Sequence, residues 1–360
     1  MLPHAYALIL AGGRGERFWP LSTTHRPKQL LKLIGKRPMI ATAVNYLRGL
    51  VPPERTYIIT RAELVQPTHK ILPTMPRANI IGEPVGRDTA AAITLGITLI
   101  KARDPQAVVV VLTADHIIGD LPAFQRILKT ALQLANSTPH LITLGIKPSW
   151  ASTAFGYIAS GQRHCLQQGV EFMKVKRFIE KPSAAAAARY LKSGTFFWNS
   201  GMFVWSVDTY QKALAQHCPA LGRLMQKLEP AIGKATFNSR LRSAYQRLPK
   251  ISVDYALMEK ATNIIMAKGN FAWDDIGSWS ALENHFRKDR RRNIILGQAA
   301  TLGASGNIVV ADAGLVALIG VDNLVVVRSE HATLICPKDR AQDVKAMVEL
   351  LRRNKQETVL

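Results

Sequence analysis

A cluster of glycines follows the first apolar run of the chain. The segment Gly12–Arg17 reads Gly-Gly-Arg-Gly-Glu-Arg. Glycines accept positive φ angles and leave their amides uncovered, so this loop can wrap closely around phosphate oxygens. Downstream, the rigid Pro27 presents Lys28, a cation that can reach back over the same phosphates. The spacing therefore predicts a phosphate site built from a backbone loop and a lysine.

Two common phosphate-binding patterns do not fit this loop. A dinucleotide fingerprint that begins at Gly13 would need a small residue at position 18, where the chain has Phe18. It would also need an acidic residue roughly 20 positions further on, but Leu33–Arg37 contains none. A P-loop would need Gly-Lys-Ser/Thr, which is absent here. The loop therefore indicates neither a nicotinamide enzyme nor an ordinary ATPase.

Carboxylates stand close behind apolar runs. Asp115 follows the entirely apolar run Ala107–Leu112 by a few residues. A carboxylate at the carboxyl end of a central strand is well placed for Mg²⁺, which takes a few carboxylates together with phosphate oxygens. A second acidic pair, Asp274 and Asp275, precedes a turn. His116 has no second His or Cys at ligand spacing, so we expect a structural role for it rather than zinc binding.

Short apolar strands alternate with helical patterns through the first half of the chain. Strands are predicted at Tyr6–Leu10, Thr56–Thr60, Ala78–Ile81, Ala107–Leu112 and Leu141–Ile146, and helices at Met39–Leu50, Thr89–Arg103 and Phe124–Ala135. This alternation predicts an α/β fold with a doubly wound, mostly parallel sheet and right-handed crossovers. Ligands bind beyond the carboxyl ends of such strands, which is where the loop and the carboxylates stand.

The sequence pattern changes after about residue 290. Short Val, Ile and Leu runs in Ile294–Ala332 are interrupted by glycines, which predicts short strands with tight turns. A helix should follow from about Asp339 to Arg353. We therefore expect two domains, a catalytic domain at residues 1–288 and a small β-rich domain with a terminal helix at residues 293–360. The basic cluster Arg287–Arg292 would link them.

The chain is strongly basic. Its 360 residues include 47 Lys and Arg against 25 Asp and Glu, a net charge of +22. Most of these cations are dispersed, and the Arg287–Arg292 cluster has no aromatic residue to stack on bases, so we expect no nucleic-acid partner. The apolar runs are too short to cross a membrane, and no basic region precedes the first of them. Three widely spaced cysteines suit a reducing cytoplasm.

The residues around the loop resemble the signature of the sugar nucleotidyltransferase family. That signature is Gly-Gly-x-Gly-x-Arg followed by Pro-Lys, here Gly12–Arg17 and then Pro27 and Lys28. Trp19–Ser22 and Pro27–Gln29 look like its mannose-1-phosphate guanylyltransferase branch. The resemblance implies a Rossmann-like nucleotidyltransferase fold with a small C-terminal β-helical domain. It makes Arg17 and Lys28 catalytic and assigns nucleotide binding to Ala11, Gly12, Gly13, Arg14 and Gly15.

A second segment resembles the wall of the family's base pocket. It places four further residues at the nucleotide: Glu83, Pro84, Asp88 and Thr89. The family segment usually reads Arg-Asn-Thr-Ala-Pro, and here Asp88 and Ala91 replace its Asn and its Pro. The resemblance therefore predicts where the base binds more firmly than which base it is.

The remaining matches concern the sugar phosphate and the metal. The resemblance assigns sugar-phosphate binding to Gly156, Tyr157, Glu180, Lys181, Asn199 and Asp254. Ala154 and Phe155 depart from the family's pattern, which has Gly and Tyr there. The resemblance also selects Asp115 and Asp275 as ligands of Mg²⁺, and it assigns Asp115 to nucleotide binding as well. The choice of Asp275 follows from its place directly before Ile-Gly-Ser-Trp.

The resemblance implies a complete reaction. GTP would bind along the loop, mannose 1-phosphate would attack its α-phosphorus in line, and GDP-mannose and pyrophosphate would form. Relatives also suggest a homodimer. Some relatives carry a fused isomerase domain after this point, and no such activity is expected of a chain that ends at Leu360.

Two other interpretations stay open. A transferase of the same fold could use another base or sugar, such as glucose 1-phosphate with UTP or dTTP, or a heptose phosphate. The departures at Asp88 and at Ala154 and Phe155 keep that alternative open. A non-catalytic relative could instead bind nucleic acid through its basic surface, although the intact Lys28 and Asp115 argue against it.

Overall fold

A computed structural model describes residues 2–360. Contacts between residues divide the chain into two compact units. The first contains the chain up to Gly12 together with Ala43–Ala114 and Ile118–Trp273, and the second contains Gly13–Thr42, Asp115–Ile117 and Asp274–Leu360. The second unit thus includes most of the glycine loop as well as the C-terminal segment.

Strands and helices alternate along the chain. The strands are β1 (Ala5–Ala11), β2 (Thr56–Arg61), β3 (Ile80–Glu83), β4 (Val108–Thr113), β5 (Ile117–Ile118), β6 (Leu141–Ile146), β7 (Tyr157–Gln167), β8 (Val170–Ile179), β9 (Phe196–Ser206), β10 (Ile264–Gly269), β11 (Trp273–Asp274), β12 (Ile294–Leu302), β13 (Ile308–Ile319), β14 (Leu324–Arg328) and β15 (Thr333–Pro337). The α-helices are α1 (Met39–Tyr46), α2 (Val65–Ile71), α3 (Asp88–Arg103), α4 (Leu121–Ser137), α5 (Ala184–Ser193), α6 (Val207–His217), α7 (Pro219–Leu228), α8 (Phe237–Gln246) and α9 (Val344–Arg353). No helix in the described part of the chain is long and apolar enough to cross a bilayer.

The first unit is built on a nine-stranded sheet in the order β3-β2-β1-β4-β9-β6-β10-β8-β7. β1 pairs in parallel with β2 and β4, and Leu8 of β1 lies opposite Val111 of β4. β9 runs antiparallel to β4 and β6. The predicted α/β fold is confirmed, with parallel strands gathered around β1 and antiparallel strands at the other end of the sheet.

The core of the first unit brings helix α3 against the sheet. Ile93 and Leu95 of α3 are fully buried together with Leu8 and Val109. A Cβ on Gly96 would lie 2.3 Å from a methyl carbon of Leu8. Glycine therefore lets α3 lie close to β1, whose carboxyl end leads into the glycine loop.

The second unit has a four-stranded sheet in the order β12-β13-β14-β15, with β12, β13 and β14 parallel and β15 antiparallel to β14. Its core combines residues that are distant in the sequence. Phe18 and Met39 are buried in one cluster with Trp279, Ile308 and Val348. The segment that carries the glycine loop therefore shares its core with the C-terminal strands.

Two predicted helices differ most from the observed bounds. The helix expected at Met39–Leu50 ends at Tyr46, because a tight turn follows in which Gly49 has φ 85°. The helix expected from Asp339 begins as a 3₁₀ turn at Lys338–Asp343 and becomes α-helical from Val344. Both differences affect the helix termini, where local sequence patterns define the boundary least sharply.

Candidate active site

Hydrogen bonds to its carbonyl groups hold the glycine loop within the second unit. Ser22 Oγ donates to the Arg14 carbonyl at 3.1 Å, and Gln29 Nε2 donates to the Gly13 carbonyl at 3.1 Å. Gly15 has φ 64°, and a Cβ there would lie 2.4 Å from Lys28 Cβ. Only glycine therefore allows the loop to pass so close to the lysine.

The charged side chains of the loop have different surroundings. Arg14 is exposed and lies 3.6 Å from Glu16, which also pairs with Arg352 at 3.0 Å. Arg17 is exposed, and its positive charge acts on the Asp275 carboxyl. The predicted catalytic arginine is thus open to a ligand, while Glu16 fixes the loop to helix α9.

Lys28 is the central side chain of the second unit's site. Only 7% of its side chain is exposed. Its Nζ donates to Asp115 Oδ2 at 2.9 Å and to the Asp275 carbonyl oxygen at 2.6 Å. A buried ammonium is tolerated only with such partners. The structure therefore brings together three residues that the sequence analysis predicted at one site.

The two predicted metal ligands have opposite pKa shifts. Burial raises the pKa of the Asp115 carboxyl, but the charges of Lys28 and His116 outweigh it and hold the pKa below its usual value. Burial raises the pKa of Asp275 to about 6, against the lowering effect of Lys28. Burial lowers the pKa of His116 to about 4, so this histidine is neutral near pH 7, in line with a structural role.

Neighbouring Asp274 has a structural task. Its carboxylate accepts from the Ile276 amide at 2.8 Å and from Asn284 Nδ2 at 2.9 Å, and it lies 3.0 Å from His285 Nε2. Burial raises its pKa, but the bonds from His285 and Asn284 lower the pKa by more, so the group stays ionised. These bonds occupy the Asp274 carboxylate and fix the turn that contains Asp275.

The donor set at Lys28 suits a metal that arrives with phosphate. Within residues 2–360, no group of three or more His, Cys, Asp and Glu side chains is arranged to hold a metal ion. The carboxylates of Asp115 and Asp275 would be the protein ligands. Mg²⁺ commonly takes one or two carboxylates and completes its shell with water and substrate phosphates. The residues present therefore fit Mg²⁺ better than they fit a closed metal site.

In the first unit, the ends of β1 and β3 converge. The Ala11 carbonyl accepts from Thr60 Oγ1 at 2.9 Å, and a Cβ on Gly12 would lie 3.3 Å from Glu83 Oε2. Glu83 is buried, and its Oε1 has no hydrogen-bond partner among residues 2–360. Burial raises the pKa of Glu83 to about 7, against a lowering effect of the nearby Tyr245 hydroxyl. This carboxyl is available to a ligand that donates hydrogen bonds.

The rest of the predicted base loop follows Glu83 and the half-buried Pro84. Asp88 has φ 69°, a left-handed conformation that Asn and Asp tolerate better than most residues. That tolerance gives a physical reason why Asp can stand where the family has Asn. Thr89 Oγ1 accepts from the Val253 amide at 2.9 Å, so Thr89 also secures a neighbouring segment.

Two residues that support this loop were missed from the sequence. Arg87 Nε and Nη2 donate to the carbonyls of Tyr245 and Gln246 at 2.9 and 2.6 Å. The Tyr245 hydroxyl donates to the Ala91 carbonyl at 3.0 Å across 154 positions of sequence. No motif marks Tyr245, and only the packed fold shows that it supports the loop.

Four of the predicted sugar-phosphate residues lie together. Asn199 Nδ2 donates to Asp254 Oδ1 at 2.7 Å, and the Asn199 amide donates to the Gly156 carbonyl at 2.8 Å. A Cβ on Gly156 would lie 2.4 Å from Glu180 Oε2, so any larger residue here would have to displace the Glu180 carboxylate. Burial raises the pKa of both Glu180 and Asp254, and the charge of Asp254 raises the pKa of Glu180 further. Lys181 is exposed with its Nζ 3.9 Å from Glu180.

Tyr157 differs from its predicted role. Its side chain is completely buried, and its hydroxyl donates to the Ser152 carbonyl at 2.9 Å. Its ring lies 5.4 Å from that of Tyr190. The side chain is therefore part of the core and does not present a group to a sugar phosphate.

Comparison with known proteins identifies relatives of the chain. Residues 6–292 match the family model described as Nucleotidyl transferase, and residues 297–351 match the MannoseP isomerase/GMP-like beta-helix domain. A mannose-1-phosphate guanylyltransferase of Escherichia coli is 36% identical over 354 residues, which cover 96% of this chain and 74% of that protein. The RfbM mannose-1-phosphate guanylyltransferase of Salmonella typhimurium is 35% identical over 356 residues, 96% of this chain and 72% of that one.

Solved structures show the same fold. A crystal structure described as mannose-1-phosphate geranyltransferase from Thermus thermophilus matches with a TM-score of 0.85 and 36% identity, over 97% of this chain and 99% of that chain. A structure described as mannose-6-phosphate isomerase from Helicobacter pylori matches with a TM-score of 0.61 and 28% identity, over 75% of this chain and 99% of that one. The fold is therefore shared along almost the whole chain.

Proposed function

Because the chain belongs to the nucleotidyl transferase family, we propose that it transfers GMP from GTP to α-D-mannose 1-phosphate and forms GDP-mannose and pyrophosphate. The observation that carries the proposal is the buried Lys28 ammonium, held between the Asp115 carboxylate and the Asp275 carbonyl beside the glycine loop. The proposal is supported by one fixed positive charge that lies close to two carboxyl groups beside the glycine loop.

The residues of the second unit supply positioning and charge. The attacking oxygen of a sugar phosphate is already anionic, so the reaction needs no covalent intermediate and no activating base. Negative charge builds on the oxygens of the transferred phosphoryl group, and fixed donors stabilise it. We assign this task to Lys28 and Arg17, while Gly13 and Gly15 let the backbone approach the phosphates. Arg14 assists from the exposed side of the loop.

A divalent cation completes this assignment. Asp115 and Asp275 would hold Mg²⁺, which supplies charge neutralisation between phosphate oxygens when it is bound. The raised pKa of Asp275, about 6, supports the assignment, because a carboxyl that is costly to ionise alone gains most from a neighbouring cation.

The residues of the first unit are assigned to recognition. A guanine base carries N–H donors on its Watson–Crick edge, and the unpartnered Oε1 of Glu83 is an acceptor for them. Pro84, Asp88 and Thr89 line the same loop. The sugar phosphate is assigned to the cluster of Gly156, Glu180, Asn199 and Asp254, with the exposed Lys181 meeting its phosphate.

A homodimer and a cytoplasmic location are further parts of the proposal. The dimer rests on the resemblance to relatives. Three free cysteines, Cys165, Cys218 and Cys336, suit a reducing compartment.

Pyrophosphate release from the purified protein tests the reaction. With mannose 1-phosphate and Mg²⁺ present, we expect release with GTP and much slower release with ATP, UTP or dTTP. Release with another nucleotide in preference to GTP would keep the reaction class but overturn the guanine assignment. No release with any nucleotide, for mannose 1-phosphate and then for glucose 1-phosphate, would overturn the reaction itself.

A further inference from the structure

A cavity in the first unit is lined by residues of helices α7 and α8 and by the residues that directly follow α8. Its volume is about 680 Å³. Pockets for small organic molecules commonly measure about 300–1,000 Å³, so this cavity is large enough for a nucleotide-sized ligand. None of the residues that line it is assigned to GTP, Mg²⁺ or the sugar phosphate.

The walls of the cavity are positively charged. Arg223 and Lys227 of α7, Arg240 of α8 and Arg247 all line it and are exposed, and no acidic side chain of the described residues does so. None of these four cations forms an ion pair with another residue of the described chain 2–360. Four like charges around one cavity repel one another, so an anion bound among them relieves an existing electrostatic cost.

The surrounding sequence shows the same imbalance. Residues 219–250 contain seven Lys and Arg and one acidic residue, Glu229. Glu229 is already paired with Lys101 at 2.6 Å. This helical segment is therefore a concentrated part of the chain's basic surplus, and the phosphate chemistry assigned to the loop and to Lys28 does not use it.

The floor of the cavity is apolar. Leu224 and Leu248 are 2% and 8% exposed, and alanines lie beside them. Ser239 and Ser243 add hydroxyl groups at the wall. Cations and hydroxyls above an apolar floor match a molecule that joins a phosphate or pyrophosphate to an organic group, rather than a bare inorganic ion.

Helix α8 links this cavity to the predicted base loop. Arg240 lies on the cavity side of α8, while Tyr245 on the same helix donates its hydroxyl to the Ala91 carbonyl. The Arg87 guanidinium donates hydrogen bonds to the last two carbonyls of α8, those of Tyr245 and Gln246. A shift of α8 on ligand binding would therefore reach the loop that contains Glu83.

We infer that the cavity between α7 and α8 binds an organic phosphate and that its occupancy is coupled through α8 to the loop Glu83–Thr89. The cavity goes beyond the proposed reaction, because it uses no residue assigned to that reaction. Only the coupling rests on the proposed function, which places the nucleotide at that loop. Coupling of this kind is reciprocal, so a nucleotide at the loop would also change affinity at the cavity.

Direct binding to the full chain tests the cavity without any need for turnover. Equilibrium dialysis with GDP, and separately with pyrophosphate, is compared for the wild type, the double variant Arg240→Gln/Arg247→Gln and the control Arg242→Gln. Arg242 is exposed on α8 but does not line the cavity. We expect two classes of GDP binding in the wild type, one at the loop assigned to the nucleotide and one at the cavity. Only the second should weaken, at least tenfold, in the double variant, and both should be unchanged in the control. Pyrophosphate should depend on the same arginines but bind more weakly.

Identical binding of both probes by all three proteins would overturn the cavity assignment. Thermal melting within a few degrees of the wild type shows that the double variant is folded. Hydrogen exchange then tests the coupling. At a GDP concentration that saturates the nucleotide loop in all three proteins, exchange at Arg87–Ala91 should be slower in the wild type and Arg242→Gln than in the double variant, and equal exchange in all three would overturn the coupling. Failed catalysis would not imitate either result, since neither readout involves the reaction.

Discussion

At the scale of single residues, Lys28 joins the glycine loop to the acidic side chains. Its Cβ packs against Gly15, and its Nζ binds Asp115 and the Asp275 carbonyl. One side chain thus fixes the loop and also provides the charge assigned to the transferred phosphoryl group. A substitution that keeps its shape but removes its charge separates these two tasks.

We predict that Lys28→Met lowers turnover in pyrophosphate release by roughly 10² or more, as loss of one positioned charge donor typically does. Methionine keeps most of the apolar stem, so the fold should persist. Lys32→Ala is the matched control, since Lys32 is exposed four residues further on, and its turnover should match the wild type. Near-full activity in Lys28→Met would remove the lysine from the catalytic assignment.

The adjacent aspartates Asp274 and Asp275 should have opposite pH dependences. The pKa of Asp275 is raised from its usual 3.8 to about 6, so the folded protein holds this proton more tightly than the unfolded chain. Stability therefore falls as pH rises from about 4 to about 6. Relative to Asp275→Asn, which cannot titrate, the wild type should lose roughly 1–2 kcal/mol over that interval, after allowance for partial exposure.

Asp274→Asn provides the control for that measurement. The pKa of Asp274 is lowered from 3.8, so its stabilising contribution is present above the unfolded pKa and lost only as pH falls through the folded pKa. Denaturant unfolding with a chelator present, at several pH values from 4.5 to 7.5, should therefore show a difference from the wild type that is flat for Asp274→Asn. A flat difference for Asp275→Asn as well would mean that burial does not raise its pKa.

At the scale of elements, local sequence patterns were sufficient to predict the strands that carry the site. Ala107–Leu112 is apolar at every position, and the structure places β4 there in the centre of the sheet, with Asp115 just past its end. β6 has the predicted bounds, Leu141–Ile146. Such runs are informative because a strand covered on both faces tolerates few polar residues. Once β4 is predicted, the position of Asp115 just past its end follows from the order of the residues alone.

Other elements depended on contacts that local patterns do not contain. The hairpin of β7 and β8 was not predicted, although Gln168 and Gly169 between them have φ 49° and 74°, as a two-residue hairpin turn requires. The role of Tyr245 depends on α8 packing beside α3, which no motif indicates. The interior position of Tyr157 likewise follows from its neighbours and not from its own sequence context.

At the scale of the whole molecule, the two units defined by contact do not follow the composition change near residue 290, and the domain boundary expected there stays a prediction. The second unit takes Gly13–Thr42 from the N-terminal part and Asp274–Leu360 from the C-terminal part. Phe18, Trp19 and Met39 are buried in the same cluster as Val344 and Val348 of α9. Trp19 Nε1 also donates to the Val359 carbonyl at 2.8 Å. The segment with Lys28 therefore depends on the C-terminal residues for its core.

This shared core predicts the outcome of removing residues 293–360, the segment expected from sequence to be a separate small domain. Exposure of Phe18, Trp19 and Met39 would cost roughly 1.5–3 kcal/mol each. Their sum is comparable to the whole stability of a typical domain, about 5–15 kcal/mol. The truncated chain should therefore lose pyrophosphate release, and its thermal midpoint should fall by at least about 10 °C.

Two single substitutions in helix α9 test whether the packing of the C-terminal segment matters, without removing that segment. Val348 is 3% exposed in the shared core, whereas the adjacent Met347 is 43% exposed. Val348→Ala should lower the free energy of unfolding by roughly 1–2 kcal/mol, and Met347→Ala by less than about 0.5 kcal/mol. A truncated chain that kept both its activity and its thermal midpoint would show that Lys28 and its loop do not need the C-terminal core. Equal effects of the two α9 variants would contradict the burial on which that dependence is argued.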